Sequence, residues 1–332
     1  MMYISGIGHV SPLAGGNQLP SEITLPEGNI YKAIEPSYGE FIDARQLRRM
    51  ARVIKMSVAA ASMAMKDAKT NDLDAIITGT SLGCIEDTQE FLKSLITDNE
   101  TLLSPTAFIK STHNTIGGQI ALMGNHYCYN MTYAHRAFSF ESALLDGTLW
   151  LQDGDAKNIL VGGIDELTHV STQLLQRLGC IWSEENPIAP KGGEGAVFMV
   201  INNEPSENHY AIVNKVSVCH HNNAARALQD FLQGTEVDFV LTGACNPEHF
   251  ERDYELPLNT ALPLASYGYY KHLCGEYHTS SAIGTLLGAT MLKENKVPQW
   301  ALLSNVGPET LNNILIYNRS GADGHAFILL SK

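Results

Sequence analysis

Cys245, Cys274 and His278 fall in the second half of the chain beside loop and helix-start signals. A Cys–His pair is the minimum an acyl-transfer site needs, because the imidazole draws the thiol toward its nucleophilic thiolate. His325 and Ser139 are further candidates for such a site. The same residues also fit plainer roles: the cysteines as small apolar groups in a core, His278 as a capping or exposed residue. Lys271 and Glu276 are five positions apart and are read as an ion pair rather than as catalytic groups. Arg136 either binds an anion or anchors a buried carboxylate, with Glu141 and Asp165 as partners. There is no HExxH, no Cys/His cluster at ligand spacing and no GxGxxG after a strand, so neither metal nor cofactor is expected.

Those residues need a large scaffold, and the composition supplies one. The chain has 332 residues, 44% of them hydrophobic and only 17% charged, with 28 glycines. That suits an α/β protein of two domains or one duplicated unit. A formal charge of −13 argues against nucleic acid as a partner. It also opposes an acidic carrier protein unless basic residues cluster locally. Arg45, Arg48, Arg49, Arg52 and Lys55 read as one such cluster on a single helix face, or as an ordinary solvated face. Six cysteines without CxxC spacing point to free thiols. The opening MMYISGIGHVSPL has no leader pattern, and no apolar run reaches the ~18 residues a bilayer span needs. A cytoplasmic protein without membrane contact is the expectation.

Strand-like runs alternate with helical ones. The first set is MYISGIGHV, 74–80 (DAIITGT), 158–164 (NILVGGI) and 195–201 (GAVFMVI). The second is 211–219, 238–245 (DFVLTGAC), 300–306 (WALLSNV), 313–319 (NILIYNR) and 325–331 (HAFILLS). The sets rhyme: DAIITGT with DFVLTGA, and NILVGGI with NILIYNR. We read an internal duplication joined at the polar link 202–209, with halves 1–205 and 206–332. Ala and Met on nearly all sides of IKMSVAAASMAMKDA predict a helix buried all round. The apolar strands suit sheets covered on both faces.

The segment 271–287, KHLCGEYHTSSAIGTLL, resembles the loop and helix of β-ketoacyl synthases, which run Lys, three residues, Gly-His, two residues, Gly-Ala-Ala-Gly. Lys271 and Gly275 match, and Glu276 stands at the histidine. ISGIGHVSPL, TGTSLGCIEDTQEFL and SPTAFIKSTHNTIGGQIAL are similar to further segments of that family, so the likeness runs nearly end to end. It implies the thiolase fold, a duplicated α/β/α/β/α five-layer architecture, with helix Met56–Ala68 on the first of a pair of mixed sheets. Counting back from Gly162-Gly163 sets the family's nucleophilic cysteine at Ala137, or at Arg136, Phe138 or Ser139 if the register slips. Cys128, nine positions upstream, is read as core. The family's Asp-Tyr-Leu-Asn-Ser-His-Gly-Thr becomes 238–245, with Gly243 at the histidine. Its Gly-Phe-Gly-Gly loop becomes SGADGHAF, with Ala322 at the gating phenylalanine.

The resemblance therefore implies a degenerate triad at Ala137, Gly243 and Glu276. A decarboxylative condensation needs a thiol to carry the acyl chain and imidazoles to stabilise the enolate; a carboxylate at Glu276 opposes that charge. The expected role is a chain-length-factor-type subunit, as in polyketide, aryl-polyene or flexirubin-type systems. It would pair with an active ketosynthase, or with itself, and meet an acyl carrier protein. Phe108, His113, Asn114, Gln119 and Tyr133 are expected at its tunnel or interface, with Asn114 or Thr115 capping a helix. The pairing strand would lie near 127–134. The alternatives are a divergent synthase with relocated groups and a homodimeric scaffold that binds an acyl chain or carrier.

Overall fold

The structure is a computed structural model that describes residues 1–13, 18–20, 22–101, 103–206, 208–303 and 307–332. Ten strands carry the fold: β1 (Tyr3–Val10), β2 (Ala75–Gly79), β3 (Tyr129–Tyr133), β4 (Asn158–Asp165), β5 (Gly195–Asn202), β6 (Ala211–His220), β7 (Phe239–Thr242), β8 (Ser266–Tyr269), β9 (Asn313–Ser320) and β10 (Gly324–Ser331). From the middle outward the first half runs β1-β5-β4-β2-β3 and the second β6-β10-β9-β7-β8, the same order twice. Strand directions repeat as well, with two antiparallel pairings followed by two parallel ones in each half. The two five-stranded halves are joined edge to edge by hydrogen bonds. β1 meets β6 through Tyr3↔Ile212 and Ile4↔Ala211.

The duplication reaches single hydrogen bonds. Asp74 accepts from the Lys157 and Asn158 amides at 2.7 and 3.0 Å. Asp238, its repeat, accepts from the Asn312 and Asn313 amides at 2.7 and 2.8 Å. Each aspartate ties the start of one parallel strand to the next and satisfies donors that would otherwise end the ladder unpaired.

Side chains alternate between layers with the strand period of two. Ala75, Ile77, Ile159 and Val161 face inward, while Ile76 and Leu160 face the outer helices α1 (Arg52–Ala68) and α2 (Thr115–Gly124). In the second half Leu241 and Ile316 face inward, and Val240 and Leu315 face outward to α4 (Ala224–Leu232). Between the halves lie α3 (Ser139–Asp153) and α5 (Ser281–Glu294), which share the inner core. This is the α/β/α/β/α layering of a thiolase-type fold. The first twelve residues of α5 are all buried, which is why its sequence is apolar and small on every side.

Helix α1 is Ala-rich because of β1. A Cβ at Gly8 would lie 2.2 Å from the Ala60 carbonyl oxygen, and one at Gly6 2.3 Å from that of Ala64. Only glycine facing alanine lets helix and strand approach so closely. The helix is not buried all round: Lys66 is exposed and Met63 and Met65 are half-buried, because its C-terminal turns run out over the strand's edge.

Two other expectations differ from what is found. The basic cluster is split, since Arg45 lies in a short helix over Ala44–Leu47 while Arg52 opens α1 and turns inward to an ion pair with Glu194. The strand expected over 300–306 is a 3-10 turn at Gln299–Ala301, with 304–306 outside the described residues. The Trp300 indole N–H donates to the Pro20 carbonyl at 3.0 Å. Leu303 N–H donates to Tyr267 O at 3.0 Å, so this segment covers the outer edge of β8. At the opposite end of the sheet, no backbone bond covers the outer edge of β3 among the described residues. None of the described helices is long and apolar enough to cross a membrane.

Candidate functional site

The C-terminal ends of β7 and β9, the turn before α3 and the loop after β8 meet at one place. Ala137 lies in a 3-10 turn, Arg136–Phe138, that leads into α3. Gly243 follows β7, and Asn318 lies near the end of β9. Asn318 Nδ2 donates to the Ala137 carbonyl and to Glu141 Oε1, both at 3.4 Å. Asn318 Oδ1 lies 2.6 Å from where a Cβ at Gly243 would be, and Lys271 Cε lies 3.3 Å from it. A side chain at position 243 would therefore have to displace the Asn318 amide.

Lys271 Nζ donates to both carboxylate oxygens of Glu276, at 3.0 and 2.8 Å, with only 5% of the lysine side chain exposed. Burial lowers the ammonium's affinity for its proton, but the Glu276 carboxylate outweighs that and holds it well above the ordinary lysine range. The Glu276 backbone spans the halves: its N–H donates to Lys191 O at 2.7 Å, and its carbonyl accepts from Gly193 N at 3.0 Å. A charged pair thus stands beside Gly243, with Glu276 as its acidic member.

A cleft of about 790 Å³ opens onto this ion pair, with Tyr31, Trp182 and Lys191 on one wall and Cys245, His249 and Lys271 on the other. The Cys245 thiol donates to Glu276 Oε2 at 3.4 Å. Burial, reinforced by that carboxylate, pushes the thiol well above its ordinary range, so it stays protonated. His249 and His272 also line the cleft, and both nitrogens of His249 are engaged elsewhere. Nδ1 accepts the Cys245 backbone N–H at 3.2 Å, and Nε2 meets Asp253 Oδ2 at 3.1 Å.

The other candidates lie apart from any Cys–His pair. The Cys274 thiol is fully buried and donates to Gly275 O at 3.5 Å; burial pushes it far up. His325 is buried in β10 between Tyr317 OH at 3.0 Å and His221 O at 2.9 Å. The Ser139 hydroxyl donates to Arg136 O at 2.7 Å. His278 lines a small space with Asp165, Glu166, Cys180 and Glu276 but has no hydrogen bond to a thiol among the described residues. Ala322 is exposed and its carbonyl accepts from Arg319 Nη2 at 2.9 Å. Cys128 is half-buried against the outer core.

Arg136 does not anchor a carboxylate. Its side chain is exposed and its backbone adopts φ +49°, a left-handed turn that directs it away from the core. Asp165 is instead held by Thr80, Thr279 and the Ser81 and Leu82 amides at 2.8–3.1 Å. Nor does Asn114 cap α2: its side chain makes no cap bond, and Thr115 donates to Ile109 O at 2.6 Å. His113 lies 3.4 Å from Ser81 O, Phe108 is exposed, and Gln119 and Tyr133 are half-buried. Sequence reasoning missed Asn318 and His249, and named Glu141 only as a partner for Arg136, where Asn318 holds it instead. Among the described residues no group of three His, Cys, Asp or Glu is placed to hold a metal ion.

Glu141, 1% exposed in the first turn of α3, gives a pH test. Burial pushes its carboxyl from 4.5 up to about 7. Between those values the folded chain keeps a proton that the unfolded chain releases, so stability falls as pH rises through that window and levels above it. At ~1.4 kcal/mol per pH unit the loss is about 3 kcal/mol. Glu141→Gln is therefore expected to be more stable than the native chain at pH 8 and similar at pH 4.5, by urea unfolding. Parallel pH profiles for the two proteins would contradict this.

Residues 27–177 match the family model of the β-ketoacyl synthase N-terminal domain. No curated protein sequence matches the chain. A β-ketoacyl synthase from Burkholderia phymatum superposes with a TM-score of 0.79 at 15% identity, over 100% of this chain and 99% of that one. A ketosynthase in complex with its chain length factor from Xenorhabdus doucetiae gives 0.76 at 13% identity, over 99% and 97% of the two chains. A type II polyketide synthase acyl-carrier protein in complex with its ketosynthase, bound to the hexaketide, gives 0.76 at 16% identity, over 99% and 98%.

Proposed function

We propose that this chain is a non-condensing subunit of chain-length-factor type, a reading that starts from the match of residues 27–177 to the β-ketoacyl synthase N-terminal domain. In this reading it pairs with an active ketosynthase and helps to shape the acyl tunnel. One observation carries the reading. The volume that a catalytic imidazole would need at Gly243 is taken by Asn318 and Lys271, and Lys271 is locked to Glu276. Ala137 offers no thiol, and Cys245 is a protonated thiol without an imidazole partner. A relocated Cys–His site, the competing reading, lacks the hydrogen bond it needs.

The partner surface in this proposal is the outer edge of β3. One end of the sheet is covered by the chain's own 300–303 segment, and the other is left uncovered with Met131 and Tyr127 exposed. A bare strand edge is a template for pairing with another chain. Leu122 and Leu149, also exposed, extend the apolar character of this side. The acyl carrier protein is a second proposed partner. Arg45, Arg48 and Arg49 are exposed, and Lys110 reaches Arg49 O, giving an acidic protein a local basic patch on an acidic chain.

The test is co-expression with a complete Cys-His-His ketosynthase from the same gene cluster. A stable pair is expected, with a buried area above the ~2,000 Å² of obligate partners. Met131→Lys places a charge on the edge and is expected to weaken pairing at least tenfold, read by size-exclusion chromatography of the co-expressed proteins. Its unfolding midpoint should stay unchanged, since Met131 is 39% exposed. A pair that survives the substitution, or a ketosynthase whose product length is the same without this chain, would overturn the proposal.

A further inference from the structure

A second concave site lies near the C-terminal ends of β2 and β4, away from the ion pair described above. Its volume is about 350 Å³, and Lys32, Glu35, Arg52, Glu86, Glu166 and His169 line it. Its charges do not balance. Arg52 gives its two terminal nitrogens to Glu194 at 2.9 and 2.7 Å and its Nε to Glu35 at 2.5 Å. Lys32 is committed to Glu194 at 3.2 Å and to the Leu167 carbonyl. Glu166 receives only a 4.0 Å approach from Arg52, and its Oε1 has no hydrogen-bond partner although the residue is 2% exposed.

Buried carboxylate oxygens normally have partners, and the Glu166 orphan in the wall of a surface pocket marks a missing donor. A metal ion does not fit, because the acids do not converge on one point. A guanidinium does, since its planar fork of five donors reaches carboxylates that stand apart. We propose that this pocket binds a guanidinium group, with Glu166 as the principal acceptor and Glu86 at the rim. Burial and the neighbouring acids push the Glu166 carboxyl up to about 7, against the pull of Arg52, and a bound cation would supply the charge that keeps it ionised.

The test is calorimetric titration of the whole chain at pH 8 with ethylguanidinium, with neutral ethylurea as the isosteric control and N-acetylarginine amide as a second probe. Ethylguanidinium is expected to bind and ethylurea not to. Glu166→Gln should weaken binding at least tenfold, and Glu86→Gln, an exposed change that leaves the fold intact, several-fold. Equal binding by N-acetylarginine amide identifies a protein side chain as an admissible source, and binding of ethylguanidinium alone identifies a small free cation. Absence of binding by the native chain at millimolar probe, or unchanged affinity in both variants, overturns the proposal.

Discussion

Glu276→Ala is expected to destabilise the chain by about 3–5 kcal/mol, the loss seen when one partner of a buried ion pair is removed. The size follows from what is left behind. Lys271 has 5% of its side chain exposed and donates to both Glu276 oxygens, so the substitution strands a buried ammonium. Removing both charges, as in Lys271→Met with Glu276→Leu, should cost far less, because no uncompensated charge remains. Urea unfolding of Lys271→Met, Glu276→Leu and the double variant closes the cycle. A loss under about 1 kcal/mol for Glu276→Ala would mean that solvent screens the pair as it screens surface salt bridges.

Rebuilding the condensing triad is expected to fail for steric reasons. A Cβ at Gly243 meets Asn318 Oδ1 at 2.6 Å, Tyr254 OH at 3.2 Å and Lys271 Cε at 3.3 Å. Gly243→His should therefore cost about 1–3 kcal/mol or more through overpacking. Ala137→Cys, Gly243→His and Glu276→His combined should give no condensation product. Adding Asn318→Gly removes the nearest obstacle and should recover part of the stability, a coupling visible in a double-mutant cycle. Condensing activity in the triple variant would show that the pocket still has room for chemistry.

The fold was legible in the sequence wherever a repeat made it so. DAIITGT and DFVLTGA become β2 and β7, and their aspartates make the same pair of backbone contacts. The Ala-rich run became a helix because Gly6 and Gly8 admit nothing larger against Ala60 and Ala64. Less was legible at the margins. β8 is four residues, SYGY, too short and polar to stand out, while the apolar run at 300 serves as edge cover rather than as a strand. Arg52 looked like one more member of a solvated face. Only the fold shows that Glu194, 142 positions away, claims it.

Within the site, the family pattern pointed to Ala137, Gly243 and Glu276, but not to what replaced the missing groups. One signal was present. The repeat sets Tyr317-Asn318 against Gly162-Gly163, so two larger side chains stand where the other half has none, and Asn318 is the one that fills the imidazole's space. His249 carried no such signal. Its place depends on a turn from Asn246 that returns the ring to the Cys245 amide, which spacing alone does not reveal.

The most direct measurement is on the purified chain alone, given malonyl- and acyl-carrier-protein thioesters, with carbon dioxide release followed in solution and intact mass followed on the protein. The account predicts no carbon dioxide above the uncatalysed background and no mass gain, because the Cys245 thiol at the cleft stays protonated and the His249 imidazole is bonded to the Cys245 amide and Asp253. Turnover of malonyl thioester, or stoichiometric acylation of Cys245 or Cys274, would contradict it and make this chain a condensing enzyme in its own right.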